Sequence, residues 1–368
     1  MTSLIDLSEE QRMIHETLER AAREANDFQE RRKRLQGATP NRMALWSGMA
    51  ELGALGLCFT EDRGGFGGTP RDMALLPSAI AAALPVEPLI ATGITAARLL
   101  GAANAPVEAL IAGEDVVIPA LFENAGVFGP PRLLAQQEGE SWTLSGRKPA
   151  VRHGDVAQSF LVSARAGNGE TVLALCAADA EGLDAAPFRL IDGAGAADLT
   201  FAGTPARVVL QGKPADAAIT DALDWTLTAL CVEATALCEA ANRDTFAYLK
   251  ERRQFGQPLA RFQGLQFTAA DMHVAATEAA AATDAALLAL AGPAGSARTA
   301  RILSASLTAD RAGRVCAHSA VQLHGGMGVS DELIISHYAR RLAAIRAQIG
   351  TTEARAAHLE TLTEGACA

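Results

Sequence analysis

The sequence predicts an α+β fold in which a helical N-terminal domain, a small antiparallel β-barrel and a C-terminal four-helix bundle follow one another. Two observations predict this order. Apolar residues recur every three to four positions in the first and last parts of the chain, as in amphipathic helices. Between these parts, short segments rich in β-forming residues are separated by Gly, Asn and Asp turns. We therefore expect domains at residues 1–112, 113–211 and 212–368.

The N-terminal part begins with a helix-capping signal. Ser8 and Gln11 form a capping-box pattern before QRMIHETLERAAREA, so we expect a helix to start there. The glycine cluster from Gly64 to Gly68 would suggest a phosphate loop only if a strand preceded it and Lys-Ser or Lys-Thr followed. The sequence shows neither feature, so we interpret the cluster as a loop between helices.

The remaining elements follow from a change of hydrophobic period. The middle part contains five short predicted strands, which are VVIPALF, SWTLSG, SFLVSARA, TVLALCAA and ARVVLQG. Their spacing is typical of a small barrel or sandwich. The last part contains four long predicted helices, within residues 221–254, 263–292, 293–326 and 331–349. Four antiparallel helices of this length are expected to pack as a bundle.

Composition excludes several classes of function. The 368 residues carry a formal net charge of -10 with scattered Lys and Arg, so we expect no surface for nucleic acid. The apolar runs are too short to span a bilayer, and the N-terminus has no secretory pattern. We therefore expect a cytoplasmic protein without membrane contact. Six widely spaced cysteines without a C-x-x-C pair predict reduced, mostly buried thiols and no metal site.

A polar segment, RRQFGQPLARFQGLQF, separates the first two helices of the predicted bundle. Its Arg252, Phe255, Gly256 and Gln263 are spaced so that a helix end, a tight loop and the next helix start meet. A guanidinium beside free backbone N–H groups is suited to a pyrophosphate. The alternative is an arginine that caps a helix C-terminus, and on this segment alone that is the simpler interpretation.

A glycine-rich segment, VQLHGGMGVS, ends the third predicted helix. Gln322, His324, Gly325 and Gly326 allow a ligand to approach the main chain, because glycine has no side chain and permits positive φ. The alternative is a helix stop followed by a turn. A single histidine in such a place is more often structural than catalytic.

Together, the two segments resemble the acyl-CoA dehydrogenase family. RRQFGQPLARFQGLQFTAADM is similar to the family's R-x-x-F-G, F-Q-x-x-Q-F and acidic-Met pattern, and QLHGGMG is similar to its Q-x-x-G-G-x-G. By domain order the resemblance covers nearly the whole chain. It implies FAD-dependent α,β-desaturation of an acyl-CoA thioester by an oligomer, expected to be a tetramer, that passes electrons to an acceptor protein.

The resemblance also implies which residues contact FAD. The ADP half of a flavin held mainly by the neighbouring subunit would contact Arg252, Phe255, Gln263, Gln322, Leu323, His324, Gly325 and Gly326. QIGTTEA is similar to the end of the family's Y-E-G-T-x-x-I motif. On that basis Thr351 and Glu353 are assigned to the flavin, and the alternative for Glu353 is a solvated helix face.

The catalytic carboxylate of the family is missing from both expected positions. The chemistry requires a positioned carboxylate to remove the weakly acidic α-proton of the thioester while hydride leaves the β-carbon for the flavin. The family usually carries this Glu where the chain has Ile349, and a minority carries it where the chain has Thr226. Glu233 shares the helical face of Thr226, whereas Asp224 points about 160° away from it. The catalytic base therefore stays unassigned.

The β domain also departs from the family pattern. Members usually hold the flavin ring with L-T-E, G-S-D and K-x-W-I-T segments, where this chain has ALFENAGVFGPPRLL and RKPAVRH. Glu123 and Lys148 match. Phe122 replaces a hydroxyl, Ala150 replaces the tryptophan and Arg152 replaces the threonine expected near flavin N5. We therefore expect the chain's own flavin pocket to be altered.

Three hypotheses follow from this pattern of matches and losses. The leading one is a subunit of a heteromeric acyl-CoA dehydrogenase, whose second family member supplies the base and the rest of the flavin site. Bacterial dehydrogenases for bulky acyl-CoA substrates, such as steroid side chains, resemble this arrangement. The second hypothesis is a homo-oligomeric acyl-CoA dehydrogenase with a relocated base, such as Glu233 or Asp224. The third is a non-catalytic scaffold subunit.

Overall fold

The N-terminal part is helical, as predicted. The computed structural model describes residues 7–37, 43–123 and 128–364. Within these ranges the first part forms α1 (Glu9–Ala25), α2 (Phe28–Leu35), α3 (Ala44–Glu51), α4 (Pro70–Ile80), α5 (Ala97–Ala102) and α6 (Glu108–Ile111). The predicted capping box of Ser8 and Gln11 starts α1. The glycine cluster from Gly64 to Gly68 lies in a loop before α4, and a π-helical turn at Ala91–Ala96 leads into α5.

The strands that follow close into a barrel. They are β1 (Val117–Ala120), β2 (Leu134–Glu138), β3 (Ser141–Arg152), β4 (Ser159–Ala166), β5 (Thr171–Ala177), β6 (Leu183–Arg189) and β7 (Gly195–Gln211). The hydrogen-bonded order β4-β2-β3-β7-β5 returns to β4 and completes a ring, while β1 lies beside β4 and β6 beside β7. Closure pairs the strand edges of the ring with one another.

The barrel differs from the sequence prediction in two respects. β1 and β2 both run parallel to β4, so the barrel is not wholly antiparallel. In addition, β2 and β6 were not predicted. Most side chains of β2 and nearly all of β6 are exposed, so both strands lack the apolar alternation by which a half-buried strand is recognised.

The C-terminal part is the predicted four-helix bundle with one further helix. The bundle consists of α7 (Lys213–Glu251), α8 (Gln263–Leu290), α9 (Ser296–His324) and α10 (Ile334–Gln348). A short hairpin of β8 (Arg253–Gln254) and β9 (Gln257–Pro258) connects α7 to α8. The additional helix α11 (Thr352–Glu364) was not predicted, because Arg355 is its one buried residue and it has no apolar stripe.

The expectations for the cysteines, for membrane-spanning helices and for metal ligands can be compared with the described part of the chain. Five cysteines are free and buried, and Cys367 lies outside the described residues. Among the residues that the structure describes, no helix has the length and hydropathy needed to cross a bilayer. In the same part of the chain, no three His, Cys, Asp or Glu side chains are grouped as metal ligands.

A buried ion-pair network joins the helical part, the barrel and the bundle. Asp192, in the turn between β6 and β7, accepts hydrogen bonds from Arg152 of β3 at 2.6 Å and from Arg341 of α10 at 2.9 Å. Arg31 of α2 donates to the main-chain oxygen of Asp192 at 2.9 Å. Arg341 also donates to both carboxylate oxygens of Glu233 on α7, each at 2.6 Å. The network therefore fixes the walls of the space between the three parts.

The charges of this network depend on one another because water is almost excluded. The side chains of Asp192 and Glu233 are 2% and 1% exposed. Burial opposes ionisation of Asp192, but Arg152 and Arg341 together hold the pKa of its carboxyl well below its usual value. Removing one partner would leave a buried charge without compensation, which is costly.

We predict that Asp192→Asn lowers the free energy of unfolding by about 3–5 kcal/mol, because two buried guanidinium groups lose their shared carboxylate. Urea denaturation of the purified chain measures the change. The control is Asp184→Asn on the exposed strand β6, which should stay within about 0.5 kcal/mol of the wild type. Equal stability of the two variants would contradict the role given to Asp192.

The free energy of unfolding should also depend on pH differently in the wild type and in the Asp192→Asn variant. Because the folded-state pKa of Asp192 is depressed, its contribution is complete above the unfolded-state value of about 3.9 and is lost as pH falls below it. The stability difference between wild type and Asp192→Asn should therefore be full at neutral pH and shrink below about pH 4. Urea titrations across this range test the sign, and a difference that grows on acidification would refute the assignment.

Candidate functional site

A cavity of about 610 Å³ lies between the helical part, the barrel and the bundle. This volume is within the range of small-molecule binding sites. Leu89, Leu121, Leu223 and Ile349 contribute apolar wall from all three parts of the fold. The polar wall is smaller and consists mainly of Glu87, Thr95, Arg152, His153, Thr226, Glu233, Arg341, Gln348 and Thr351. The cavity is suited to a ligand with a large apolar portion.

The two positions expected to carry a base both line this cavity, and neither is acidic. Ile349 is buried hydrocarbon. The Thr226 hydroxyl donates to the main-chain oxygen of Ala222 at 2.6 Å and lies 2.7 Å from the Thr95 hydroxyl. Since the single proton of Thr226 is used on Ala222, Thr95 is the donor between the two hydroxyls. The Thr95 hydroxyl therefore donates to Thr226, which donates to the main chain, and neither hydroxyl is a base that could remove a substrate proton.

The two carboxylates considered as relocated bases are both occupied. Glu233 lines the cavity on the face of Thr226, as helical geometry predicted, but Arg341 binds both of its oxygens. Asp224 is not on the cavity wall. Arg298 and Thr299 donate to its carboxylate at 2.8 Å and 3.1 Å. Both oxygens of Glu233 are therefore engaged, and Asp224 lies away from the cavity, so neither carboxylate is placed to remove a substrate proton.

Glu87 is a cavity carboxylate that sequence reasoning missed. Its two oxygens accept the backbone N–H groups of Leu45 at 3.2 Å and Val86 at 2.9 Å. The first of these bonds supplies an acceptor at the N-terminus of α3, where the cap position holds the apolar Met43. Burial raises the pKa of the Glu87 carboxyl. The signal in the sequence was weak, because Glu87 stands alone between two prolines.

The two matching residues of the barrel bind each other. Lys148 donates to Glu123 at 2.6 Å and to the Ser163 hydroxyl at 2.9 Å. Glu123 also accepts the backbone N–H groups of Arg132 and Leu133 at 2.9 Å and 3.1 Å. Burial lowers the pKa of Lys148 to about 8, against the opposing effect of Glu123. These residues anchor the segment after β1 to the barrel.

The flavin-ring contacts that the resemblance implies are replaced on the cavity wall. Arg152 lines the cavity and turns its guanidinium to Asp192, at 2.6 Å and 3.3 Å. Phe122 and Ala150 also line it, and neither supplies a polar group from its side chain. The residues present therefore do not match the family's flavin-ring site in this cavity.

A second group of predicted site residues lies at the far end of the bundle. The α-helical rise places Arg252 about 39 Å along α7 from Thr226. Stacking of the Tyr248 and His324 rings, with centroids 4.3 Å apart, brings the end of α7 to the end of α9. We call the exposed members of this group the bundle-end group; they are Arg252, Phe255, Gln263, Gln322, Gly325 and Gly326.

Phe255 is the most unusual member of the bundle-end group. Phe255 and Gly256 form the turn of the β8–β9 hairpin with φ values of 52° and 80°. A bulky residue with positive φ is strained, and strained residues concentrate at functional sites. The Phe255 side chain is 90% exposed. This turn presents an aromatic ring outward at a cost in backbone energy.

The remaining predicted site residues lie in different surroundings. Leu323 and His324 are buried, and the imidazole Nδ1 of His324 is 2.8 Å from the main-chain oxygen of Ala320. Both side chains are therefore structural, and a ligand outside the bundle would reach only their main chain. Thr351 lines the cavity, whereas Glu353 is exposed in the first turn of α11 and is not part of the cavity wall. Neither residue belongs to the bundle-end group.

The order of a helical part, a β-barrel and a four-helix bundle defines a class of protein, namely the fold class of the acyl-CoA dehydrogenases. Family models confirm this class. The model described as "Acyl-CoA dehydrogenase, N-terminal domain" matches residues 8–107, and "Acyl-CoA dehydrogenase, C-terminal domain" matches residues 217–361. The chain belongs to the acyl-CoA dehydrogenase family. Members are FAD-dependent oxidoreductases, so FAD is the cofactor that belongs to this fold.

Individual relatives span the whole chain. "Probable acyl-CoA dehydrogenase YngJ" of Bacillus subtilis is 26% identical over 95% of this chain and 96% of its own. A solved variant of the "Tcur3481-Tcur3483 steroid ACAD" is 28% identical with a TM-score of 0.86, covering 98% of this chain and 99% of that chain. The ChsE4-ChsE5 complex from Mycobacterium tuberculosis is 20% identical, with a TM-score of 0.87 and 97% of both chains covered, and shares the fold.

We predict that Phe255→Asn stabilises the isolated chain by about 1 kcal/mol, because Asn tolerates positive φ better than Phe. Urea denaturation measures the change. The control is Phe267→Asn, which also removes an exposed aromatic side chain, but from a regular position of α8. The control should show no stabilisation. Equal effects of the two substitutions would mean that the turn carries no strain.

Proposed function

We propose that this chain is one subunit of a heteromeric acyl-CoA dehydrogenase, in which a second family member supplies the catalytic carboxylate and the flavin-ring site. The proposal depends on the contrast between the two groups of site residues. The bundle-end group matches the family and is exposed, whereas both base positions in the cavity, Ile349 and Thr226, are neutral. A subunit with this division can complete a neighbour's site while lacking its own.

The bundle-end group is suited to the ADP half of a FAD that the partner holds. The Arg252 guanidinium would bind the pyrophosphate through a charge-assisted pair, which is the geometry that Arg provides better than Lys. Gly325 ends α9 with φ of 62°, and no neighbouring atom lies within 4 Å of where its Cβ would be. The main chain there is open to close approach by a ligand. FAD, when bound, supplies the hydride acceptor.

The cavity of this chain also supports the proposal that the partner supplies the catalytic base. Abstraction of an α-proton needs a free base in an apolar site. Glu233 is bound by Arg341 through both oxygens, and Glu87 accepts two backbone N–H groups. Arg152 occupies the position of the expected flavin N5 contact. We infer that no α-proton is removed in this cavity.

The names of the relatives support the finer parts of the proposal. One solved relative is the Tcur3481-Tcur3483 steroid ACAD, whose name joins two proteins, and another is the ChsE4-ChsE5 complex. We propose a hetero-oligomer, most simply a tetramer, that acts on a bulky acyl-CoA in the cytoplasm and passes electrons to an acceptor protein. The homo-oligomeric alternative would require Glu233 to leave Arg341. The scaffold alternative leaves the exposed and strained Phe255 unexplained.

We predict that the chain purified alone is colourless and that it becomes yellow when co-expressed with a second, adjacent dehydrogenase-like gene product. In that complex, Arg252→Ala should lower the affinity for FAD about tenfold or more, since one charge-assisted hydrogen bond contributes about 1.5–3 kcal/mol. The visible spectrum and the native mass of each complex are the measurements. The control is Arg301→Ala, which removes an exposed arginine elsewhere on the bundle.

Three outcomes would contradict the proposal. Stoichiometric FAD in a homo-oligomer of this chain would show that its own flavin site is complete. A yellow complex whose FAD affinity is the same in wild type and Arg252→Ala would show that the bundle-end group does not contact the cofactor. Failure of FAD to bind in any co-expressed complex would favour the scaffold alternative.

A further inference from the structure

The cavity keeps the features of a binding site although it lacks a free base. Its wall is mainly apolar, and three of its polar residues, Arg152, Glu233 and Arg341, belong to the ion-pair network that joins the three parts of the fold. An empty apolar cavity lowers the stability of a protein. A cavity without a ligand would therefore be expected to collapse. The chemistry of the polar part therefore indicates what the cavity takes up.

The ion-pair network contains more positive than negative charge. Arg31, Arg152 and Arg341 converge on two carboxylates, Asp192 and Glu233. One additional negative charge would balance this set. Because water is almost excluded, an unbalanced charge here costs more than it would at the surface.

The other ionisable groups near the network do not remove this excess. Glu87 faces the cavity, and its charge acts on both Arg34 and Arg31, so counting Glu87 together with Arg34 still leaves one positive charge in excess. His153 also lines the cavity, and burial together with Arg152 and Arg341 lowers the pKa of its imidazole well below the usual value. His153 is therefore neutral at physiological pH. Burial and Arg341 likewise lower the pKa of Arg152.

Arg152 is the guanidinium in this network that remains open to a ligand. Arg341 uses all three nitrogens on Glu233 and Asp192. Arg31 donates to the main-chain oxygens of Leu84 and Asp192, and it is not on the cavity wall. Arg152 donates to Asp192 through both terminal nitrogens, so its Nε takes no part in that ion pair. The Arg152 side chain is 15% exposed.

We propose that this cavity binds, without turnover, an apolar ligand that ends in a carboxylate, and that Arg152 receives the carboxylate. An ionised carboxylate has acceptors only, which suits the guanidinium N–H groups of Arg152 and the side-chain amide of Gln348, whose Nε2 has no hydrogen-bond partner among the described residues. The apolar body of the ligand would contact the wall formed by Leu89, Leu121 and Leu223. The ligand is thus a free acid of the size of a long-chain or polycyclic acyl group. The proposal goes beyond the heteromeric dehydrogenase, because it requires neither partner nor flavin.

Calorimetric titration of the purified 368-residue chain tests the proposal. The probes are dodecanoate and cholanate, each compared with its neutral amide, dodecanamide and cholanamide. At least one acid should bind about tenfold or more tightly than its amide, as expected for one charge-assisted hydrogen bond. Arg152→Gln should reduce the acid to the affinity of the amide. The matched control is Arg147→Gln, an exposed arginine on the same strand, which should keep the full preference.

Several results would overturn the proposal. Equal binding of acid and amide by the wild type, or no binding of any probe, would do so. Retention of the preference in Arg152→Gln would also do so. If Arg152→Gln does not fold, as judged by its thermal unfolding, Arg152→Lys replaces it; this variant keeps the charge and should keep a reduced preference. Flavin content does not enter these measurements, so failure here is distinct from failure of the heteromeric proposal.

Discussion

The shared carboxylate of Asp192 is the constraint on which the arrangement of this chain depends. It lies in a turn of the barrel, yet it receives one arginine from β3 and one from α10, while its main-chain oxygen receives a third from α2. Through Arg341 the same network reaches Glu233 in the middle of α7. The helical part, the barrel and the bundle are thereby connected through buried ion pairs. Glu233 and Arg341 of this network also form part of the wall of the cavity between the three parts.

Under the proposed function, the ion-pair network also explains how a family member keeps its fold without carrying out the family's reaction itself. Glu233 is a chemically capable side chain on the cavity wall, but both of its oxygens are engaged by Arg341, which also binds Asp192 of the barrel. A carboxylate held through both oxygens is unavailable for proton transfer, although its position on the helix is suitable. The Glu233 carboxylate cannot both bind Arg341 and act as a base, and in this structure it binds Arg341.

Much of the fold was predictable because its signals are local. The capping box at Ser8 and the helical periods of α7 to α10 are patterns within a few turns of chain, and the shared face of Thr226 and Glu233 follows from helix geometry alone. β2, β6 and α11 were missed because their side chains are mostly exposed. The ion-pair network was missed for a different reason. Arg31, Asp192 and Arg341 are far apart in sequence, and no pattern within a window of residues connects them.

The length of α7 has a consequence for how such a chain can diverge. One uninterrupted helix carries Thr226 at the cavity and ends at Arg252 beside the bundle-end group. Inserting or deleting a single residue between them would rotate one site by about 100° relative to the other and shift it by about 1.5 Å. A substitution at either site leaves the geometry between the sites unchanged, whereas an insertion or deletion between them does not. The length of α7 therefore fixes both the distance and the relative rotation between the cavity and the bundle-end group.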